Sequence, residues 1–451
     1  MNVLVIGAGG REHTLCWKLK QSPRCGQLFA APGNAGTAKC ATNLPVGVND
    51  FEGIKKAVIA NEIKLVIVGP EEPLVNGIHD FFLNDTALAK VGVIGPQKKA
   101  ATLEGSKAFA KAFMSRHNIP TAAYDEFTAE NLQEGEDFLT QSNPPYVLKA
   151  DGLAAGKGVL IIDDLEEAKN ELRQMLLERK FGKASSKVVI EEFLPGIELS
   201  CFVLTDGSSY LTLPMAKDYK RIGEGDTGLN TGGMGAVSPV PFVTEAFKEK
   251  IECQIIKPTI EGLQKDGIPF KGFVFIGLIK VGEEPKVIEY NVRLGDPETE
   301  VVLPRIKNDL LTVFQAVHEE KLDQISLEVD PFFAATIVAT SGGYPEAYVK
   351  EKTIYGLEDQ QDKMIFHAGT TQQGEEIRTS GGRVLAVTSF GIKHQEALKD
   401  CYETLSKISF EGINRMEMLA LNNRRSWSVC RRCHQPLHLC FARYRHVPPL
   451  S

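Results

Sequence analysis

Residues 287–300, Val-Ile-Glu-Tyr-Asn-Val-Arg-Leu-Gly-Asp-Pro-Glu-Thr-Glu, are where groups able to do chemistry concentrate. The stretch opens in strand-like alternation, with Val287 and Ile288 set against Glu289, Asn291 and Arg293. Period two sends residues 289, 291 and 293 to one side of a strand. A carboxylate, an amide oxygen and a guanidinium on one face make an odd core but a good polyphosphate site. Hard oxygen ligands at Glu289 and Asn291 suit Mg²⁺, which takes a few protein oxygens plus phosphate and water. Arg293 can fork onto phosphate oxygens or onto charge developing during phosphoryl transfer. Gly-Asp-Pro-Glu at 295–298 then turns the chain and presents two more carboxylates, Asp296 and Glu298. The competing reading is an exposed edge strand with a solvated polar face.

The elements that must position these groups begin at the N-terminus. Residues 2–7 read as a short buried strand. Gly7-Ala-Gly-Gly-Arg-Glu-His13 follows as the turn into a helix reaching about residue 21. Strand, glycine turn and helix N-terminus together form an anion cradle. The dinucleotide pattern G-x-G-x-x-G would place its third glycine at position 12, which is Glu12. A single phosphate on a sugar therefore fits better than a nicotinamide dinucleotide, with Arg11 and Glu12 reaching the rest of the molecule. Two further apolar runs, 29–34 and 65–72, end in Gly/Pro with a polar tip, and a third strand at 91–94 closes with Gly95-Pro96. In a parallel doubly wound sheet such loops gather at the carboxyl edge, where ligands bind. Any one loop reads equally as a plain turn; the set reads as a site.

From Leu103 the character changes. Glu104-Gly-Ser-Lys107 leads an amphipathic helix that Asn118-Ile-Pro-Thr121 breaks. Residues 146–162 read as two strands around a glycine-rich hairpin. A P-loop is excluded, because Gly152 and Gly156 are three residues apart, Gly158 replaces the hydroxyl, and a β run follows. This is a flap over phosphates, and Lys149 inside its first strand needs an anionic partner if buried. After a helix over 165–179, residues 188–200 look like a strand running into a hinge. Backbone there can read adenine edges, and Glu198 is placed for ribose hydroxyls. Residues 217–235 are glycine-rich and polar with charges alternating in sign, which reads as a long functional loop. A helix over 245–265 and strands at 273–281 and 285–291 lead back to the opening stretch. From about Pro331 a third unit is rich in β-signals and carries few candidate ligands; His367 reads as a packed histidine.

Composition sets the frame. A chain of 451 residues suits roughly three domains. No apolar run reaches the ~20 residues of a membrane span, and the start lacks a signal peptide's basic region. The nine cysteines are mostly isolated, so free thiols in a reducing cytoplasm are expected. A net charge of −7 argues against a general nucleic-acid binder.

Taken together, a glycine-rich flap after a strand lysine, a Glu-Glu-Phe-Leu hinge and a carboxylate-x-Asn strand look like the ATP-grasp fold. Gly-Gly-Arg-Glu-His at 9–13, Lys-Ala-Asp-Gly-Leu-Ala-Ala-Gly-Lys-Gly at 149–158, Asn-Thr-Gly-Gly-Met-Gly-Ala at 230–236 and Arg-Leu-Gly-Asp-Pro-Glu-Thr at 293–299 narrow it further. Over about residues 1–412 the chain resembles the glycinamide ribonucleotide synthetase family of purine biosynthesis, in its single-function form. The resemblance implies an N-terminal doubly wound α/β domain (1–102), a central ATP-grasp domain (103–325, flap subdomain about 120–195) and a small mixed α/β C-terminal domain (326–412). It implies ATP-dependent ligation of glycine to 5-phosphoribosylamine, in the cytoplasm, by a monomer binding neither nucleic acid nor membrane. Glu289 and Asn291 would hold Mg²⁺ or Mn²⁺. Lys107, Lys149, Gly156 and Gly158 would meet ATP phosphates, Glu191, Glu192, Phe193 and Leu194 the adenine, and Glu198 the ribose. Arg293 and Lys157 would assist phosphoryl transfer. Gly9, Gly10, Arg11, Glu12, Asn34, Pro70 and Glu71 would bind phosphoribosylamine, with Asp218, Asp296 and Glu298 at the amine ends of the two substrates.

Two rivals stand beside this reading. Another ATP-grasp ligase or carboxylase of purine metabolism would share the nucleotide half. A nicotinamide-binding oxidoreductase would use only the first domain and leaves the flap and Glu289 unexplained. The segment 413–451 departs from the family. It carries seven arginines, no lysine and one glutamate, a charge of +6 against −13 for the rest. Its Cys430-Arg-Arg-Cys-His434, with His438 and Cys440, mimics a zinc or haem motif. No second cysteine pair sits at finger spacing, so neither group is expected. Residues after about 420 are expected to be poorly ordered and uninvolved in catalysis.

Overall fold

The computed structural model describes residues 1–154, 157–223 and 227–415. Val3, Leu4, Val5 and Ile6 are all fully buried, so β1 (Asn2–Gly7) has both faces covered. It runs through the middle of a five-stranded sheet of order β3-β2-β1-β4-β5, every pair parallel. Its companions are β2 (Leu28–Pro32), β3 (Thr42–Asn43), β4 (Ile63–Val68) and β5 (Gly92–Ile94). Strand order reverses at β1, so the loops leaving β1, β2 and β4 converge on one edge, as the doubly wound reading expects. Gly33 N–H donates to Gly7 O at 3.1 Å and Gly69 N–H to Ile6 O at 3.0 Å, tying those loops together.

The central region holds two antiparallel sheets. The first, β6-β9-β7-β8, contains the flap: β7 (Tyr146–Ala150) and β8 (Val159–Ile162) pair antiparallel around the hairpin, with β6 (Tyr124–Thr128) and β9 (Lys187–Glu191) beside them. The helix Leu165–Leu176 places Leu172 and Met175 against Phe127 and Leu148 to form this sheet's own small core. The second sheet has order β11-β10-β14-β15, built from β10 (Ile197–Thr205), β11 (Tyr210–Thr212), β14 (Gly272–Val281) and β15 (Glu284–Asn291). Its apolar face is continuous with the core of the N-terminal parallel sheet, where Ile276 and Tyr290 pack in one cluster with Phe113, Leu4 and Val66.

Within the stretch expected to be a long loop, residues 217–223 and 227–235 are strands. They form β12 (Lys217–Gly223) and β13 (Thr227–Ser238), antiparallel with two register shifts. Glycines at 228 and 233 take φ of +80° and +116°, a region open to glycine at little cost. The composition that suggests a loop is here the composition of a distorted hairpin. β13 then pairs with β16 (Phe333–Thr340), so this hairpin extends the C-terminal sheet. While β18 (Thr370–Gln373) and β19 (Glu376–Thr379) pair as a separate two-stranded sheet, the remaining strands of the C-terminal sheet are β17 (Met364–His367), β20 (Arg383–Gly391) and β21 (Asn414–Arg415). The helix His394–Ser406 covers this sheet with Leu398, Cys401 and Leu405.

Period-two alternation also ends sooner than expected. β15 stops at Asn291, and a register shift opposite Gly277/Leu278 interrupts its pairing, so Arg293 lies beyond the strand. Gly156 and the residues from 416 onward, including the Cys430 motif, lie outside the described residues. Among the described residues no helix is long and apolar enough to cross a membrane, and all six cysteines are free thiols.

Candidate functional site

Lys149 sits on β7 of the flap sheet, 5% exposed, and its burial demands a counter-charge. Glu191, the last residue of β9, supplies it: Lys149 Nζ lies 2.9 Å from Glu191 Oε2. A second cation shares that carboxylate. Lys111, from the helix Lys107–Arg116, reaches Glu191 Oε2 at 3.2 Å and donates to Thr121 Oγ1 at 2.8 Å. Burial pushes Lys111 down to about 8, against the pull of Glu191. Lys107 opens the same helix, whose N-terminus is fixed by Ser106 Oγ accepting from Phe109 N–H and by Asp151 accepting from Ala108 N–H. Burial lowers Lys107 as well, partly countered by Glu289. Beyond Glu191, Glu192 is exposed while Phe193 and Leu194 are half-buried, in an irregular segment between β9 and β10. Lys157 is exposed and Gly158 buried.

Glu289 faces these lysines across a crevice it shares with Glu198, Ser200, Asp218 and Lys220 over an apolar floor of Phe275, Leu278 and Ile288. Burial works to raise its pKa, yet Lys220, Lys149 and Lys107 outweigh it and hold Glu289 below the usual carboxylate range. It is therefore an anion at neutral pH. Glu198 is exposed at the rim and pairs with Lys220 at 3.1 Å, which lowers its pKa. Asp218 is buried on β12, and Glu298 lies deeper, accepting from Ser200 Oγ at 2.9 Å. Burial, with Asp218 nearby, pushes Glu298 up to about 7.

Arg293 joins the central region to the first domain. Its Nη2 donates to Asn291 Oδ1 at 3.1 Å and pairs with Glu104 Oε1 at 2.9 Å, while Nε faces Glu71 Oε2 at 3.4 Å. So Asn291 and Arg293 do meet, through side-chain reach and not strand alternation. Glu71 follows Pro70 at the start of a short helix. Burial raises its pKa, but Arg293 and Arg11 prevail and lower it. Glu104 accepts from Val292 N–H at 2.7 Å, and burial raises its pKa.

At the convergent loops, Gly9 and Gly10 open α1 (Gly10–Lys20). Glu12 turns back, accepting from Gly9 N–H at 2.5 Å and from Arg11 Nε at 2.7 Å. Arg11 Nη1 donates to Leu294 O at 3.0 Å. Burial opposes charge on Arg11, but Glu12, Asp296 and Glu71 more than compensate and raise its pKa. Asn34 Nδ2 donates to Ala8 O at 2.8 Å and His367 O at 2.7 Å, while its Oδ1 accepts from Gly36 and Thr37 N–H. Glu12 and Asn34 thus spend much of their hydrogen-bonding capacity shaping the cradle. His367 is buried and packs on His13, whose Nδ1 accepts from His367 N–H at 2.8 Å.

The sequence reading missed Lys111, Lys220, Ser200, Glu104 and Arg383. Lys111 had a signal: it lies four residues after Lys107, on the same helical face. Ser200 and Lys220 are placed by strand pairing, and Arg383 reaches the site from the third unit, which looked poor in ligands.

A hinged flap sheet and a second antiparallel sheet closing on a crevice of lysines and carboxylates is ATP-grasp architecture, set between a parallel-sheet domain and a C-terminal sheet. Family models agree in chain order: phosphoribosylglycinamide synthetase N domain over residues 1–104, ATP-grasp (A) domain over 105–299 and C domain over 334–415. A phosphoribosylamine–glycine ligase of Vibrio vulnificus is 45% identical over 418 residues, covering 92% of this chain and 96% of that protein. A bifunctional purine biosynthetic protein of Pichia angusta is 46% identical across 91% of this chain, which spans 52% of that longer relative. The crystal structure of phosphoribosylamine–glycine ligase from Thermotoga maritima superposes with a TM-score of 0.80 at 34% identity, covering 92% of this chain and 99% of that one. The biotin carboxylase domain of a Hydrogenobacter thermophilus 2-oxoglutarate carboxylase, solved with MgADP, shares the fold alone (TM-score 0.70, 16% identity). The chain belongs to the phosphoribosylglycinamide synthetase family.

Proposed function

We propose that this protein joins glycine to 5-phosphoribosylamine with ATP as the driving nucleotide, giving glycinamide ribonucleotide, ADP and phosphate. The observation that carries the reading is Glu289, kept anionic by three lysines beside the Asn291–Arg293 pair. A carboxylate is a poor electrophile until one of its oxygens becomes a phosphate leaving group. The glycine carboxylate attacks the γ-phosphorus, and the amine then attacks the glycyl phosphate carbonyl and expels phosphate. Such a site works by positioning and charge neutralisation, without a nucleophilic side chain.

The roles proposed for the individual residues are these. Lys107 and Lys149, with Gly156, Lys157 and Gly158 of the flap, receive the ATP phosphates. Residues 191–194 line the adenine side and Glu198 the ribose. Lys111 keeps the Glu191–Lys149 pair charged and oriented. Arg293 stabilises the transferring phosphoryl group. Gly9, Gly10, Arg11, Glu12, Asn34, Pro70 and Glu71 form the phosphoribosylamine cradle, and Asp218, Asp296 and Glu298 stand where amines arrive. Mg²⁺ or Mn²⁺ fits the donor set: Glu289 is ionised, and Asn291 Oδ1 has a lone pair left beside its bond to Arg293. Hard divalent cations accept few protein oxygens when phosphate and water complete the shell. Bound there, the ion would neutralise polyphosphate charge.

ADP release measured with glycine and phosphoribosylamine, together and separately, tests the reading. Release that needs both substrates and Mg²⁺ supports it. Release with bicarbonate and no glycine would indicate a carboxylase, and activity only with a nicotinamide an oxidoreductase.

A further inference from the structure

Arg383 is the first residue of β20 and belongs to the third unit, yet its side chain crosses into the central region. Among the described residues, a single nitrogen makes its hydrogen bonds and ion pair. Nη1 donates to Gly232 O at 2.7 Å and to Asp296 O at 2.7 Å, and lies 3.1 Å from Asp296 Oδ1. The guanidinium lies flat on Gly232, where an added Cβ would come within 3.1 Å of Cζ. Tyr344, also from the third unit, accepts from Gly232 N–H at 3.0 Å, so both polar groups of that peptide segment are held from the same side. Next door, Gly233 packs so closely on Pro297 that a Cβ would sit 2.4 Å from its Cδ. Two glycine motifs far apart in sequence are therefore stacked, and Arg383 fastens them. Asp296 is left with one carboxylate oxygen on Arg383 and the other 3.4 Å from Arg11 N–H.

We propose that Arg383 is a positioning residue for the ligation, through which the third unit sets the Asp296 carboxylate and the Gly232–Gly233 backbone for the amine ends of the substrates. This rests on the ligase reading above. Because all three contacts use one nitrogen, a lysine ammonium can replace them, whereas a guanidinium fork gripping a substrate anion could not be so replaced. The arrangement thus separates a positioning role from direct anion binding.

The experiment compares R383A and R383K in the full chain, with steady-state kinetics and backbone hydrogen exchange over residues 227–238. R383A is expected to raise KM for glycine and phosphoribosylamine by roughly tenfold to a hundredfold, the worth of a charge-assisted hydrogen bond. KM for ATP should stay near that of the unaltered enzyme, and exchange at Gly232 and Gly233 should accelerate. R383K should recover most of both losses. Substrate KM values left unchanged in R383A, a parallel rise in KM for ATP, or an R383K as impaired as R383A would each overturn the proposal. Exchange is read without turnover, so an unaltered protein that fails to ligate glycine would count against the proposed function, and unchanged exchange in R383A against Arg383. Should R383A fail to fold, R383K decides alone: impaired kinetics with native melting contradicts the one-nitrogen account.

Discussion

Three lysines decide the state of one carboxylate. Glu289 is buried, which alone would favour its neutral form, but Lys220, Lys149 and Lys107 surround it and keep it charged. Glu289→Gln preserves volume and removes that charge, so kcat is expected to fall by about 10²–10³; kinetics at saturating Mg²⁺ with a native melting curve checks this. Glu298 behaves oppositely. Burial and Asp218 push it up to about 7, above its ordinary 4.5. The folded chain then holds a proton the unfolded chain has released, so its contribution to stability is present in acid and is lost as pH climbs through that window. In its proposed role as an acceptor at the amine end Glu298 must be ionised, so kcat/KM for glycine should rise with pH through an inflection near that value. Glu298→Gln should abolish the inflection; a profile identical to the unaltered enzyme's would remove Glu298 from proton handling. At this scale the sequence was readable where residues share a motif, as Glu289, Asn291 and Arg293 do. It was not where burial decides: the spacing from Lys107 puts Lys111 on the same helical face but does not mark it as a 2% exposed lysine, and Arg383 is one arginine in an apolar strand.

Elements were legible in proportion to their apolar periodicity. β1, β4, β7 and β14 are runs of buried Val, Ile, Leu and Phe and stand where the pattern put them. The flap hairpin followed from the β run after Gly158. The β12–β13 pairing was not legible because six glycines within 223–235 suppress any alternation, and the partner of β13, β16, lies about a hundred residues away, a pairing no local window contains. Gly233 shows why those glycines are needed. At φ +116° and with Pro297 Cδ 2.4 Å from a would-be Cβ, Gly233→Ala forces both backbone strain and displacement of the Gly-Asp-Pro turn. A destabilisation of roughly 1–3 kcal/mol is expected from the strained backbone alone, together with a loss of ligation larger than the loss of ATP binding. Thermal melting and a nucleotide-binding titration measure the two effects; native melting with full activity would contradict the packing described.

At the scale of the molecule, the third unit is not an appendage. Its sheet runs β12-β13-β16-β20-β17, so two of its strands come from the central region. Removing everything after Asp330 would strip β13 of its partner β16, leaving only β12 beside it, and expose Met234 and Val237, which pack with Ile337, Val387 and Leu398. Such a truncated chain is expected to lack ligase activity and to aggregate, as exposed strand edges do; a soluble, fully active fragment would refute this. Sequence order alone suggested three successive units, and only the pairing reveals that the second and third share a sheet. The whole assembly serves one reaction, in which a glycine carboxylate oxygen becomes the bridge to phosphorus and leaves with it. Ligation with glycine labelled with ¹⁸O in its carboxylate, followed by mass spectrometry of the phosphate released, tests this most directly. One ¹⁸O per phosphate, formed in step with glycinamide ribonucleotide and ADP, is the expected result. Phosphate free of label, with all ¹⁸O retained in glycine or the amide product, would contradict it.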